Sequence, residues 1–352
     1  MTKTLSGAQW LGLAQRMLVS WGTPEDIADC VAGSLVEADL AGMGSHGVLR
    51  IPMYNSFVEA GWLKPAGRPF VLTEGPAMAI VDGGWGFGQT AMYKALEVGL
   101  AKSRSEGIAA VGLQHCGHIG RLGEYAEKAA AEGAIAIVMA SGGRTGGLVA
   151  PFGGAQRVLS TNPMAAGVPA GKRPSFIMDF ATSQVAAGKI ELAPDKEMAI
   201  PEGWALAADG SPARTPRQFL DGGALLPFGG HKGYAIAMLI ELMCGGLTES
   251  GLSERPDHIP TQGLGGNAAF AIVLDVAHFA EPGAFGEAVD AFFGRVKKVK
   301  PALGSAGVMI PGEPEAAQRK LHAETGVTIA DATWEKIAEL ARKHSVSLDD
   351  VI

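Results

Sequence analysis

Ile108-Ala109-Ala110-Val111-Gly112-Leu113 and Ile135-Ala136-Ile137-Val138-Met139-Ala140 flank the loop Gln114-His115-Cys116-Gly117-His118-Ile119-Gly120-Arg121 and a run from Gly123 to Glu132 with helical character. Both apolar runs are short, continuous and bounded by turn residues, the pattern of strands buried on both faces. Upstream, Ala77 to Val81 repeats it, followed by Gly83-Gly84-Trp85-Gly86-Phe87-Gly88 and a helix from about Thr90 to Ser105. Strand and helix therefore alternate, which predicts an α/β layer.

Further out the periodicity changes. Ser6 to about Ser20 reads as a helix opened by a capping box of Ser6 and Gln9. Thr23 caps a second helix, with Pro24 at its first position and Ile27, Val31, Leu35 and Ala38 on one face up to Leu40. Trp62 to Phe70 is a Gly/Pro-rich connection suited to a domain boundary. Phe176 to Phe180 and Ala269 to Val276 are strands, and a turn-rich segment leads from Thr182 to Leu192. Gly233 to Leu247 carries no charge except Glu241, which predicts a helix buried nearly all round. Phe285 to Lys298 is amphipathic. Ala332 to His344 places Trp334, Ile337, Ala338 and Ala341 on one face, with Asp331 as cap.

The 352 residues suffice for two or three domains. The net charge of −7 argues against a nucleic-acid surface. Cys30, Cys116 and Cys244 are too widely spaced for a disulfide framework, which fits a reducing cytoplasm. The start Met-Thr-Lys-Thr has no apolar signal core, and no uninterrupted apolar stretch reaches the length of a membrane span. The 50 glycines cluster between apolar strands, where backbone can approach a ligand closely.

Five stretches could carry chemistry. In Gly44-Ser45-His46-Gly47-Val48-Leu49-Arg50 a histidine suits proton transfer near neutral pH, the neighbouring hydroxyl can orient it, and Arg50 can grip a carboxylate with two hydrogen bonds. The plainer reading is a helix stop followed by polar surface. His115-Cys116-Gly117-His118-Ile119-Gly120-Arg121 lies at a strand end, where open α/β sheets bind ligands. Zinc is the sharper alternative there, but the spacing is wrong and a second ligand pair is missing. Ser160-Thr161-Asn162-Pro163 reads as a turn with free side-chain donors. Asp179 beside Thr182 and Ser183 suits either a helix cap or a ribose or amide contact, and Lys189 is a fixed charge or, if desolvated, a proton-transfer group. Gly229-Gly230-His231-Lys232-Gly233 joins glycines and cations to a helix start, an anion site in principle. No dinucleotide fingerprint is complete: Gly84-Trp85-Gly86-Phe87-Gly88-Gln89 fails G-x-G-x-x-G, and Gly263-Leu264-Gly265-Gly266 precedes no evident helix. No metal site is expected. These residues alone describe an anion-binding α/β enzyme, with a lyase or hydrolase as open as a redox enzyme.

Taken jointly, the stretches resemble the malate/L-lactate dehydrogenase family that lacks a Rossmann fold. The matching pieces are Ser45-His46-Gly47 with Arg50-Ile51-Pro52-Met53-Tyr54, His118-Ile119-Gly120, Pro151-Phe152-Gly153-Gly154, Thr161-Asn162-Pro163, Asp179-Phe180-Ala181-Thr182-Ser183, Gly188-Lys189, Pro227 to Gly233, and Ile310-Pro311-Gly312-Glu313. They run in family order over nearly the whole chain. The loop His118 to Gly123 looks most like the hydroxycarboxylate dehydrogenase branch. The family commonly carries Asp where this chain has Gly44. Its imine-reducing branch tends to carry an acid where this chain has Lys189, which favours a 2-hydroxy acid over a cyclic imine carboxylate.

The resemblance implies an α/β fold with its own mixed sheet. Residues 1–70 and 312–352 then form a helical region from both termini, and residues 71–311 bind cofactor and substrate, in two subdomains. It implies an NAD(P)-dependent oxidoreductase, a cytoplasmic homodimer, that interconverts a 2-hydroxy acid and its 2-oxo acid. Arg50, Tyr54 and Thr161 are then the substrate contacts. Ser45, His46, His118 and Lys189 are the catalytic candidates, with His46, oriented by Ser45, preferred as the proton carrier. His118, Ile119, Gly120, Arg121, Leu122, Met178, Asp179, Phe180, His231, Lys232, Met309, Ile310, Pro311, Gly312 and Glu313 match the cofactor contacts for NAD or NADP.

Overall fold

A computed structural model describes residues 2–142, 147–191, 197–253 and 266–349. The chain begins with β1 (Thr2–Leu5), α1 (Gly7–Ser20), α2 (Glu25–Leu40) and α3 (Ile51–Glu59). The α/β part runs β2 (Phe70–Glu74), β3 (Met78–Asp82), α4 (Gly88–Glu106), β4 (Ile108–Cys116), α5 (Leu122–Ala131), β5 (Ala134–Ser141), β6 (Met164–Val168) and β7 (Phe176–Phe180). A turn-rich stretch holds α6 (Ala187–Glu191), β8 (Ala205–Leu206), α7 (Pro216–Leu220), β9 (Ala224–Leu225) and α8 (His231–Glu241). Then come β10 (Asn267–Asp275), α9 (Val276–Phe279), α10 (Pro282–Lys297), α11 (Glu313–Thr325), β11 (Val327–Ala330) and α12 (Asp331–Lys343).

Seven strands form one mixed sheet in the order β2-β3-β4-β10-β5-β6-β7. The α4 crossover makes β3 and β4 a parallel pair. The strands β4 and β5 also run the same way, yet they are not neighbours. β10 inserts between them, antiparallel to both, with Ala271 opposite Val111 on one side and Val138 on the other. Its small residues Ala268, Ala269 and Ala271 are fully buried there. On one face Met92 and Leu96 of α4 and Tyr125 and Ala129 of α5 cover the sheet. On the other, Ile240 of α8 and Cys244 of the following π turn pack on Met139 and Phe270. The central strands are thus buried on both faces, as their continuous apolar runs require.

The two ends of the chain share a second core. β1 pairs antiparallel with β11, Thr2 opposite Ala330. Trp10, Leu13 and Met17 of α1, Val31 and Leu35 of α2, and Ile337 and Ala341 of α12 are buried together, and the Trp10 indole donates to the Val327 carbonyl. The capping box of Ser6 and Gln9 forms as expected.

Several local expectations are corrected. Pro24, not Thr23, is the N-cap of α2, and no side chain caps it. Ala330, not Asp331, caps α12, leaving Asp331 in the first turn, where its charge still suits the helix dipole. The apolar helix ends as α-helix at Glu241 and is not buried all round: Leu239, Leu242 and Leu247 are more than half exposed. The turn-rich stretch from Thr182 holds a short helix at Ala187–Glu191, and Leu192 lies outside the described residues. Gly263-Leu264-Gly265 also lies outside them.

Candidate active site

A cavity of about 720 Å³ opens where the helical region, the sheet and the turn-rich stretch meet. Its wall takes Ser45, His46 and Arg50 from the segment after α2, His118 and Arg121 from the β4–α5 loop, Thr161, Asp179 and Phe180 from around β7, and Gly188 from α6. With Leu148 and Phe228, which also line it, six stretches spread over the sequence converge on one space.

The segment after α2 folds as two 3₁₀ turns, Gly44–His46 and Val48–Arg50. The buried Asp39 carboxylate accepts the Val48 N–H at 2.8 Å and fixes the second turn. Gly47 is required beside it, because a Cβ there would lie 2.0 Å from Asp39 Oδ1. A carboxyl group therefore still steadies this turn although Gly44 carries none. Burial pushes the Asp39 carboxyl up to about 7, against the opposing effect of the Val48 N–H. Arg50 Nε donates to the Ser45 carbonyl at 2.6 Å and Nη1 to Met53 Sδ at 3.3 Å. The guanidinium is thus held by its own turn with Nη2 left over for a ligand.

Ser45 does not orient His46. Among the described residues no hydrogen bond joins them, and His46 Nδ1 is buried without a partner. Consecutive residues of a 3₁₀ turn point about a third of a turn apart, so their side chains diverge. Desolvation, then the charges of Arg50 and Arg121, bring the His46 imidazole down to about 4.

His118 is anchored far better. Its Nδ1 lies 2.9 Å from the Tyr54 hydroxyl and accepts the Gly120 N–H at 3.3 Å. Since the amide can only donate, Nδ1 is assigned as the acceptor, which puts the proton of the neutral ring on Nε2. Tyr54 OH in turn accepts from Gln89 Nε2 at 2.8 Å, and both residues are buried. The two imidazoles stack at 5.3 Å with planes 3° apart. Desolvation, His46 and Arg50 hold His118 well below the usual histidine range. Two stacked cations beside an arginine would be costly, so both rings rest neutral. The helix α5 starts at Leu122, so His118 lies ahead of the helix, not in its first turn.

The neighbours of His118 point apart. His115 pairs with Asp82 at 2.8 Å and stacks on Trp85, while Cys116 Sγ meets the Asn267 carbonyl at 3.3 Å. They do not share a metal-ligand centre with His118. Asn162 offers no free donor. Its amide is buried and donates to Ala237 O and Glu241 Oε2 on α8. The Thr182 hydroxyl donates to the carbonyls of Thr161 and Asn162, and that of Ser183 to Val185 O.

The cofactor candidates divide. Leu122, Asp179 and Phe180 line the cavity, and Asp179 Oδ2 accepts the Gly123 N–H at 2.7 Å. Desolvation raises the Asp179 carboxyl to about 6, with the Gly123 N–H and Arg121 opposing. Ile119 is a buried support, its N–H bonded to Asn267 and its carbonyl accepting from Tyr125. Met178 is absent from the wall. Pro311 O accepts the Ile177 N–H at 3.0 Å, and a Cβ on Gly312 would lie 3.2 Å from Ile177 Cβ, so Met309 to Glu313 runs along β7 two residues from Asp179. His231 and Lys232 are exposed at the start of α8, outside the wall, although Phe228 lines it. Lys189 is also exposed outside the wall, which removes it from a proton-transfer role in this form. Tyr54 stands behind His118 and does not face the cavity.

Sequence reading missed Gln89 and Asp39. Gln89 was visible only as the residue that spoils a glycine fingerprint, and Asp39 only as one helix residue among many. The cavity lies within the roughly 300–1,000 Å³ of sites that enclose drug-sized ligands, which leaves room for a nicotinamide beside a small acid. Apolar Leu122 and Phe180 with polar Thr161 and Asp179 also suit an amide-bearing aromatic ring.

The sequence model of the malate/L-lactate dehydrogenase family matches residues 6–338. A malate dehydrogenase of Pyrococcus abyssi is 34% identical over 339 residues, which are 94% of this chain and 92% of that protein. An L-lactate dehydrogenase of Cupriavidus necator is 36% identical over 340 residues, 96% of both chains. The structure of malate dehydrogenase from Pyrococcus horikoshii superposes with a TM-score of 0.88 at 30% identity, covering 98% of this chain and 97% of that one.

Proposed function

The chain belongs to the malate/L-lactate dehydrogenase family and is an oxidoreductase, and from that membership we propose that it interconverts a 2-hydroxy acid and its 2-oxo acid with NAD or NADP. The observation that carries this reading is the convergence of Arg50 and the stacked His46 and His118 on one cavity wall. A nicotinamide cofactor, when bound, supplies the hydride in reduction and accepts it in oxidation. Asp179, Phe180 and Leu122 would hold it in the cavity, and Met309 to Glu313 along β7.

Arg50 grips the substrate carboxylate through its free guanidinium edge, with Thr161 beside it. That carboxylate brings a negative charge next to His118 and raises the proton affinity of its ring. For reduction the ring first takes up a second proton, on Nδ1 with the Tyr54 oxygen turned to accept it, so that the acid is the imidazolium. Nε2–H then gives its proton to the oxygen of the oxo group, on which negative charge builds, and a neutral ring with its proton on Nδ1 remains. In oxidation that ring takes the hydroxyl proton on Nε2 and releases the second proton to solvent. Tyr54 and Gln89 hold the ring in place for this exchange.

The exposed Leu239, Leu242 and Leu247 would be covered in a homodimer. The free Cys30, Cys116 and Cys244 suit a cytoplasmic protein. Among the described residues no helix is long and apolar enough to cross a membrane.

The test is to mix the purified protein with NADH or NADPH and a panel of 2-oxo acids, and to follow nicotinamide absorbance. Oxo-acid-dependent oxidation of one of the two is expected. Absence of oxidation with every oxo acid, in a protein that shows no change in nicotinamide fluorescence, would overturn the reading.

A further inference from the structure

His115 and the glycine-rich run Gly83 to Gly88 lie outside the cavity wall, against the loop that carries His118. β3 ends at Asp82 and β4 at Cys116, and backbone pairing continues past Asp82. The Gly83 N–H donates to the Gln114 carbonyl at 2.8 Å, the Trp85 N–H to the His115 carbonyl at 2.7 Å, and the Gly117 N–H to the Gly86 carbonyl at 2.8 Å. The two segments touch so closely that no side chain fits at Gly88, where a Cβ would lie 2.2 Å from the Gly117 carbonyl oxygen and 2.6 Å from the His118 carbonyl carbon. Gln89, the next residue, sends Nε2 to the Tyr54 hydroxyl, which meets His118 Nδ1. The run that fails as a dinucleotide fingerprint is thus a bed for the backbone of His118.

One carboxylate ties the bed to the loop. Asp82 Oδ1 accepts the Gly84 N–H at 2.8 Å, and Oδ2 accepts from His115 Nδ1 at 2.8 Å and Gln114 Nε2 at 3.3 Å. The His115 ring stacks on Trp85 with centroids 4.7 Å apart. Both members of that stack have left-handed backbone, with φ 51° at His115 and 58° at Trp85. A residue with a Cβ adopts this conformation at a cost, and a bulky one keeps it only where its surroundings enforce it. Asp82 grips both sides of the stack, and the enforced turn at His115 sets the direction in which the chain enters Gly117 and His118. We propose that Asp82 and His115 are positioning residues: their clasp over the glycine run fixes the path of the loop and keeps His118 Nε2 aimed at the reacting oxygen. The inference deepens the proposed dehydrogenase reading, with His118 as the proton carrier, and rests on it.

The experiment compares wild type with His115→Gly, His115→Asn and Asp82→Ala. Sites are counted by titrating nicotinamide fluorescence with NAD(P)H, so that unfolded protein does not enter kcat. Glycine accepts the left-handed backbone but has no clasp; asparagine tolerates that backbone and its Nδ2 stands where the imidazole Nδ1 stood. His115→Gly should lower kcat by about tenfold and leave the oxo-acid KM and NAD(P)H affinity within about twofold, since a small misplacement acts on the reacting geometry. Asp82→Ala should do the same, and His115→Asn should restore kcat to within about threefold of wild type. In a His118→Ala background His115→Gly should cost nothing further, because both changes act on one group. Amide hydrogen exchange over residues 114–121, which needs no substrate, should quicken in His115→Gly and not in His115→Asn. If Asp82→Ala does not fold, the His115 variants still decide. Unchanged kcat or exchange in His115→Gly overturns the inference. So does an equal loss of kcat in His115→Asn, or a full further loss on top of His118→Ala. Failure to oxidise NAD(P)H with any oxo acid would instead strike the dehydrogenase reading, and the exchange pattern would then decide whether the clasp holds the loop.

Discussion

His46 and His118 face each other at 5.3 Å, border the same cavity and both rest neutral, yet the chain holds them differently. His46 sits in a tight turn beside a serine, with its Nδ1 unpartnered. His118 sits in a loop, with its Nδ1 fixed by Tyr54 and Gly120 and with Gln89 behind Tyr54. A proton carrier works only if its nitrogen stays aimed at the reacting atom, so the anchored ring is the better candidate. The Ser-His pair that draws the eye in the sequence is a neighbour in the chain without being a partner in space.

The contrast is broken most directly by replacing each ring. His118→Ala should lower kcat by roughly a hundredfold or more, the usual scale of general acid–base catalysis, and leave NAD(P)H binding, read by nicotinamide fluorescence, nearly intact. His46→Ala should lower kcat much less. The opposite order in steady-state rates would return the proton to His46.

A smaller effect is expected from Tyr54→Phe, which removes the hydroxyl at His118 Nδ1. One buried hydrogen bond is worth about 1 kcal/mol, hence a roughly fivefold to tenfold lower kcat. That hydroxyl stabilises the neutral ring, so its loss should raise the histidine pKa and move the corresponding limb of the kcat/KM profile to higher pH. A pH profile that stays in place would reduce Tyr54 to packing.

The turn of His46 has its own signature in stability. Asp39 has a folded-state value of about 7 against an ordinary 3.8. Its contribution is therefore fully present below the unfolded value and lost as pH rises through about 7. Asp39→Asn, which still offers an oxygen to the Val48 N–H, should be less destabilised than wild type on going from pH 5 to pH 8 in urea unfolding, by roughly 2–3 kcal/mol. Equal pH dependence in both proteins would contradict a buried, desolvated carboxyl. Least of all is expected from Ser45→Ala. Since Ser45 holds Arg50 through its backbone carbonyl, kcat and KM should stay within about twofold. A loss comparable to that of His118→Ala would mean that the hydroxyl orients His46 after all.

Much of this molecule is legible in the chain itself. The strands around β4 and β5, the α1 capping box and the buried stripes of α1, α2 and α12 follow from periodicity and caps, which act over a few residues. The order of short motifs also marked Arg50, His118, Thr161 and Asp179, all of which border one cavity. Local pattern does not reveal which side chains meet across long separations. β10 enters between β4 and β5 from more than a hundred residues downstream, and pairs with both of them there. Tyr54 lies 64 residues from His118 and 35 from Gln89, and no spacing rule joins them. The sequence by itself determined the fold class, the helical termini and the set of chemically able residues, since these depend on local geometry and hydrophobic pattern. The tertiary structure alone decided that His118 is the anchored ring, that Lys189 stands outside the wall and that Arg121 is buried against Glu127, because anchoring and desolvation come from groups brought together only when the distant segments pack.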